Sequence, residues 1–416
     1  MNIWIVNHYA IPPSMGGLVR HYYFSKYLQK KGHTVKIFTS SKIHNTDINM
    51  IRDKSLYKEE MEDGVEYTFV RSRDYKGNGL DRIFNMMDLP FKTWKTMKQF
   101  YKKQKPDVIY TSSPDLFVAY FALLFGRKHK IPVVVEVRDF WPKSVVEYNR
   151  MSEHNPIILA LYQLEKWIYK KANKLIFTME GWKNYFKERK LLSEIDTKKV
   201  FYVNNGVDIE EFEQNQKYFK LEDSDLEDEK SFKVVYMGSI RLANNLQSLI
   251  NACKVIKEKG INNLKILIYG DGTEREFLQE ESKKDNLNVV FKGKVEKKYI
   301  PYILSKADVN LVNVKSTNIK NYGCSWNKLF EYMASGKPVL ANVHMEYDLI
   351  SKFEIGLAKE FKTAEEYAQA IIDFSKLSRD KYRSMCKNAK AASEEFDYKY
   401  LTGKIEDVLC LAVNGK

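Results

Sequence analysis

The chain has 416 residues, 44% hydrophobic and 29% charged, with only 19 Gly and 10 Pro. That composition excludes a disordered, collagenous or low-complexity chain and leaves room for two domains of about 100–200 residues, each with its own core. The 68 Lys and Arg against 54 Asp and Glu give a formal charge of +14, which favours an anionic partner without choosing among a membrane surface, a nucleic acid or a diphosphate.

In chain order, Ile3–Val6 is an apolar run with no basic flank before it and no small-residue cleavage site after it, so it reads as a first strand and not as a signal peptide. The next loop holds Pro12-Pro13 and Gly16-Gly17. A helical pattern over Val19 to Lys31 then stops on Gly32 before a strand resumes at Thr34. Further β-branched runs at Val35–Thr39, Val108–Tyr110, Val133–Val137, Leu175–Phe177 and Val200–Val203 alternate with helical spacing, the pattern of a parallel sheet wrapped by helices. Within this half, Lys92, Lys95, Lys98, Lys102, Lys103 and Lys105 interleave with Trp94, Met97, Phe100 and Tyr101. Two readings fit: a helix facing an anionic membrane, or a solvated helix whose apolar stripe packs on its own domain. The best candidate for a membrane span, Leu116 to Phe125, is ten residues long, against the roughly 20 that a spanning helix needs.

Lys217 to Lys230 is acidic and lacks apolar periodicity, so it reads as a solvated linker with the domain boundary near it. A second series of strands follows at Lys233–Met237, Leu264–Tyr269, Val289–Phe291, Val309–Val312 and Pro338–Ala341. Helical patterns run over Leu246–Lys259, Arg275–Lys284, Asn327–Ala334 and Ala364–Leu377. The last stretch, Ser393 to Ala412, keeps helical spacing and can pack on either half. Cys253, Cys324, Cys386 and Cys410 lie far apart, which argues against a zinc site or a disulfide framework. The D-x-D at Asp223-Ser224-Asp225 lies inside the acidic run and away from any strand end, and no H-E-x-x-H occurs, so no metal site is expected. His8 ends the first strand and can line a cleft, whereas His21, His33 and His44 read as structural or solvated.

In an open α/β sheet, ligands bind beyond the carboxyl ends of the strands. Gly16-Gly17 in the first such loop would let a phosphate approach the backbone near a helix start, although any tight loop can require glycine. Val133–Val137 ends on Arg138 and Asp139 at the same edge. Two charged residues at that edge are candidates for chemistry, the alternative being an ion pair that only ties off the strand.

The most specific segment is Ser325-Trp326-Asn327-Lys328-Leu329-Phe330-Glu331-Tyr332-Met333-Ala334-Ser335-Gly336-Lys337-Pro338-Val339-Leu340-Ala341, a loop, helix, glycine stop and strand. It resembles the nucleotide-binding segment of family 4 glycosyltransferases. In that family the acidic residue, here Glu331, bonds the donor ribose, as a carboxylate facing two adjacent hydroxyls can. Lys328, one turn earlier and flanked by Asn327 and Leu329, either meets the donor diphosphate or is an ordinary solvated lysine. Gly16-Gly17, Val203-Asn204-Asn205-Gly206-Val207-Asp208, Tyr236-Met237-Gly238-Ser239, Gly270-Asp271-Gly272 and Phe291-Lys292-Gly293-Lys294-Val295 follow the family's order, so the resemblance covers nearly the whole chain. Arg138-Asp139-Phe140-Trp141-Pro142 resembles the Arg-Asp-x-Trp-Pro of a subgroup of surface-polysaccharide and O-antigen sugar transferases. Two positions depart. Gly323 stands where the first acid of the usual E-x7-E would fall, and Ser239 and Asn244 replace an Arg and a Lys, which leaves the diphosphate to Lys328, Arg241 and backbone amides.

The resemblance implies an α/β GT-B fold: two tandem, doubly wound Rossmann-like domains facing a cleft. Residues 1–205 would bind the acceptor, 206–392 the nucleotide-sugar donor, and 393–416 would form a helix packing back on the first domain. Catalytic roles fall to Asp139 and Arg138, and donor binding to Gly16, Gly17, Gly238, Ser239, Arg241, Gly270, Asn327, Lys328, Leu329 and Glu331. The implied activity is retaining transfer from a UDP-sugar, without a metal or other cofactor, to a lipid-linked or glycan acceptor. The expected place is the cytoplasm at the inner face of the plasma membrane, with an anionic membrane surface as partner and no nucleic acid. The alternatives are a nucleotide-sugar 2-epimerase of the same architecture and a non-catalytic partner that keeps the fold.

Overall fold

The structure, a computed structural model, describes residues 1–44, 46–75, 80–149 and 151–415. It divides into two compact units, Met1–Asn204 with Tyr398–Lys416, and Asn205–Asp397. Lys416, the last residue of the expected terminal helix, lies outside the described residues.

In the first unit the strands are β1 Asn2–Asn7, β2 Thr34–Ser40, β3 Tyr57–Glu62, β4 Val65–Val70, β5 Val108–Ser112, β6 Val133–Val137, β7 Lys174–Phe177 and β8 Val200–Tyr202. They form one sheet in the order β3-β4-β2-β1-β5-β6-β7-β8, parallel except for the β3–β4 pair. Helices α1 Arg20–Lys30, α2 Leu80–Lys103, α3 Leu116–His129, α4 Lys143–Asn149, α5 Pro156–Lys171 and α6 Trp182–Glu188 connect them. α2, α3 and α5 lie side by side. The β3–β4 hairpin is absent from the sequence reading. Its turn is Asp63-Gly64, both residues left-handed as a two-residue type I′ turn requires. β3 escaped notice because Lys58-Glu59-Glu60 lies on an exposed sheet edge and has no apolar alternation.

The second unit holds β9 Phe232–Met237, β10 Leu264–Tyr269, β11 Val289–Gly293, β12 Val309–Val312, β13 Val339–Ala341 and β14 Gly356–Ala358, all parallel in the order β11-β10-β9-β12-β13-β14. Its helices are α7 Ile209–Tyr218, α8 Ser224–Glu227, α9 Leu246–Glu258, α10 Arg275–Lys284, α11 Ile300–Lys306, α12 Asn327–Ala334, α13 Leu349–Lys352, α14 Ala364–Ser375 and α15 Arg379–Glu394. The last helix, α16 Tyr398–Asn414, belongs to the first unit, where it packs on α1 and stacks Tyr398 against Tyr23. The acidic run is not a solvated linker. It forms α8, buries Leu226 in the second unit's core, and pairs Asp223 and Asp225 with Lys292, and Asp225 and Asp228 with Lys265. Among the described residues no helix is long and apolar enough to cross a membrane, and no disulfide joins the cysteines.

At the centre of the first sheet, β6 buries the Glu136 carboxylate completely. It accepts from Arg20 Nε at 2.7 Å, Tyr110 Oη at 2.5 Å and Ser112 Oγ at 2.7 Å, while Arg20 donates its remaining nitrogens to the carbonyls of Val203 and Asn204. Burial alone would push Glu136 up, but Arg20 and His21 outweigh it and hold the carboxyl well below its usual range. Because the folded pKa is depressed, this stabilisation is present above the ordinary carboxylate pKa and is lost as pH falls through the folded value. Arg20→Met, which strands a buried anion, is expected to cost about 3–5 kcal/mol in urea unfolding. A loss below about 1 kcal/mol would show that the pair does not hold the unit together.

Candidate active site

The carboxyl edge of the second sheet is built on backbone approach. Gly238 follows β9 with φ +152°, and Gly270 follows β10 with φ +134°. A Cβ on Gly270 would stand 1.7 Å from the Gly238 carbonyl oxygen, and one on Gly272 would stand 2.2 Å from that of Ile240. Only glycines let these two loops meet so closely.

Over this floor stands Lys328, from the first turn of α12. Its Nζ lies 4.4 Å from the centre of the Tyr236 ring and 3.3 Å from Tyr236 Oη, which donates to the Ser239 carbonyl. Burial pushes the Lys328 ammonium down to about 8, against the pull of Glu331. Glu331, one turn on, is half-buried, and its carboxylate has no hydrogen bond or ion pair among the described residues. Burial raises its pKa, opposed by Lys297 and Lys328. Two titratable groups of opposite charge thus share one helix face, each made less comfortable in its charged form by burial, a pattern that makes them functional candidates.

The other candidates in this unit are placed as follows. Asn327 is exposed at the start of α12, and Arg241 is exposed at the loop after Gly238, without an ion pair among the described residues. Ser239 Oγ is spent on Asn244 at 2.8 Å. Leu329 turns its side chain into the core and its amide bonds the Trp326 carbonyl, so it serves packing. Gly323 has φ +88° and ψ −170°, a combination confined to glycine. Asn205 donates from Nδ2 to the Ser325 carbonyl at 2.7 Å and steadies the loop before α12. The Asp223-Ser224-Asp225 carboxylates are held by lysines, and no cluster of His, Cys, Asp or Glu suited to a metal occurs among the described residues.

In the first unit, the ends of β1, β5 and β6 are neighbours. Asp115 caps α3 with Oδ1, accepting from the Phe117 amide at 2.9 Å, and meets His8 Nδ1 with Oδ2 at 2.6 Å. A carboxylate only accepts, so Nδ1 carries a proton, and the buried Nε2 has no hydrogen-bond partner among the described residues. Tyr9 stacks on the His8 ring at 4.2 Å and receives Arg82 Nη2 at its hydroxyl. Arg138 and Asp139 follow β6 half-buried. No ion pair links them, so they do not tie off the strand as a pair. The Arg138 amide donates to Ser113 Oγ, and its Nε is buried without a hydrogen-bond partner among the described residues. Burial raises the Asp139 pKa, with the Ser144 hydroxyl and the Phe140 amide pulling the other way. Gly16 and Gly17 are exposed one turn before α1, with Gly16 at φ +150° capping the short Pro13–Met15 turn of helix.

Sequence reasoning missed Asp115, Tyr9, Arg82 and Tyr236. Asp115 had one legible signal, its place just after a strand and before the apolar run of α3; the others take their roles only from tertiary neighbours.

Comparison with known proteins follows the same division. The family described as Glycosyltransferase Family 4 matches residues 15–211, and that described as Glycosyl transferases group 1 matches residues 218–392. No curated protein gave a significant match. Among solved structures, HepE of Anabaena in complex with UDP is 16% identical with a TM-score of 0.68, covering 99% of this chain and 100% of that one. The sucrose-phosphate synthase of Thermosynechococcus elongatus is 17% identical with a TM-score of 0.75 over all of both chains. WaaG, a glycosyltransferase involved in lipopolysaccharide biosynthesis, is 14% identical with a TM-score of 0.66, covering 98% and 99%. These likenesses give the fold, and the two family matches, one over most of each unit, give the class: the chain is a family 4 glycosyltransferase with the GT-B architecture.

Proposed function

We propose that this enzyme transfers a sugar, with retention at the anomeric carbon, from a UDP-linked donor to a lipid-linked or polysaccharide acceptor in the assembly of a surface polysaccharide such as O-antigen or capsule. The observation that carries the donor half is Glu331, a half-buried carboxylate without a protein partner, one turn from a lysine depressed to about 8. A nucleoside diphosphate relieves both groups at once, bringing a ribose diol to the carboxylate and negative charge to the ammonium. Uridine is favoured because HepE was solved with UDP and with UDP-glucose. The acceptor class is favoured by the Arg-Asp-x-Trp-Pro segment and by WaaG, whose described role is in lipopolysaccharide biosynthesis.

In this reading residues 206–392 hold the donor and 1–205 the acceptor. Asn327, the amides near Ser239, and the glycines Gly238 and Gly270 shape the nucleotide seat, while Gly16 and Gly17 border the acceptor side. Asp139, made more basic by burial, orients the acceptor hydroxyl and receives its proton as the glycosidic bond forms. Arg241 and Lys328 balance the charge that develops on the departing diphosphate, and Arg138 holds an anionic group on the acceptor side, so transfer proceeds without a metal. The +14 charge suits an enzyme working peripherally at the inner, anionic face of the plasma membrane.

The test is a panel of nucleotide sugars offered to the purified protein beside Glu331→Ala and Asp139→Ala. Slow release of UDP from one donor, lost in both variants, is expected; epimerised sugar without released nucleotide, or no donor bound at all, overturns the reading. By calorimetry Glu331→Ala should weaken UDP roughly 10–100-fold, the value of one or two charge-assisted hydrogen bonds, with Asp139→Ala close to wild type. UDP affinity of the wild type should fall as pH rises through about 8, where Lys328 loses its proton. Lys328→Met should bind more weakly and lose that pH dependence; an unchanged profile would remove Lys328 from the diphosphate site.

A further inference from the structure

We infer that α2 is a docking helix for an anionic lipid bilayer, its outer face apolar in the first half and cationic in the second. This deepens the peripheral attachment proposed above by naming the surface that makes it. The apolar residues that sequence offered to a membrane do not serve: Met97 and Phe100 are buried, and Trp94 packs edge-on to Phe121 and Phe125 of α3. A different set faces out. Ile83, Phe84, Met87 and Phe91 are 50%, 51%, 50% and 59% exposed. Their spacing puts them on one helical face, and Lys95, Lys98 and Lys102 continue that face, all exposed and none in an ion pair among the described residues.

Neighbouring helices extend both halves. α3 adds exposed Arg127 and Lys128 at its end, and the first turns of α5 add Ile157 and Leu159, 65% and 47% exposed. Ring contacts fix the alignment: Phe91 lies 4.6 Å from Phe121, and Tyr101 4.2 Å from His129, so α2 and α3 run in the same direction. The apolar half of α2 therefore lies toward the carboxyl edge of the sheet, where Arg82 reaches Tyr9 beside His8 and Asp115. A bilayer taken up on this face would present a lipid-linked acceptor next to those side chains.

The chemistry selects the occupant. Four large apolar side chains at half exposure next to unpaired lysines match acyl chains beside phosphate headgroups. A second copy of the chain would bring the same lysines and another +14 of charge to the contact.

The experiment is co-sedimentation of the full chain with vesicles of phosphatidylglycerol and phosphatidylcholine, and with phosphatidylcholine alone. The wild type should bind the anionic vesicles and release as salt rises well above about 0.1 M. Phe84→Ser with Met87→Ser, and separately Lys95→Glu with Lys98→Glu and Lys102→Glu, should each lower the bound fraction about tenfold. UDP affinity and thermal unfolding should stay at wild-type values in both variants, which separates this inference from the donor reading. Wild type that stays in the supernatant, or variants that bind as well as wild type, would overturn it. So would a dimer in light scattering that the Phe84 and Met87 changes dissociate.

Discussion

A carboxylate placed in the middle of a buried strand has to be neutralised where it stands, because moving it to solvent would pull the strand out of the sheet and leaving it unpaired would cost several kcal/mol. Glu136 imposes that demand on the first unit. Arg20 meets it from α1, Tyr110 and Ser112 meet it from β5, and the same guanidinium binds the carbonyls that end the strand-to-exit segment at Val203 and Asn204. One buried charge thus fixes the helix after β1, two neighbouring strands and the last residues before the unit's boundary. Side chains two apart on a strand share a face, so the same framework delivers Arg138 beyond the end of β6.

The contrast with Lys328 and Glu331 separates charges that the fold satisfies from charges that it leaves with few polar contacts. Arg20 and Glu136 bond each other and are further satisfied by the Val203 and Asn204 carbonyls and by the Tyr110 and Ser112 hydroxyls, and both are driven further toward their charged forms. Lys328 and Glu331 lie on one helix face, make almost no polar contacts, and are both driven toward neutrality. The His8–Asp115 pair is intermediate: one imidazole nitrogen is committed, and the other is left unsatisfied at the sheet's carboxyl edge.

What could be read in advance follows the physics of each element. Parallel strands buried on both faces, such as β6 and β9, announce themselves as β-branched runs. The edge strand β3 has no such requirement, and its Asp-Gly turn was the available clue. The acidic run was misjudged because composition does not reveal that Lys265 and Lys292 wait on the adjacent strands β10 and β11. The amphipathic character of α2 was legible, but which apolar residues face outward depends on α3, which no local pattern specifies. Among the candidate residues, Lys328 and Glu331 stood out through the resemblance of the segment Ser325 to Ala341 to the family's nucleotide-binding segment. Tyr236 and Asp115 did not, since their partners lie 92 and 107 residues away.

Gly323 holds a backbone conformation that only glycine occupies comfortably. Any side chain placed at this position, an acid included, would meet backbone strain before it met a neighbour, so the segment from Asn318 to Ser325 can address its surroundings here only through its main chain.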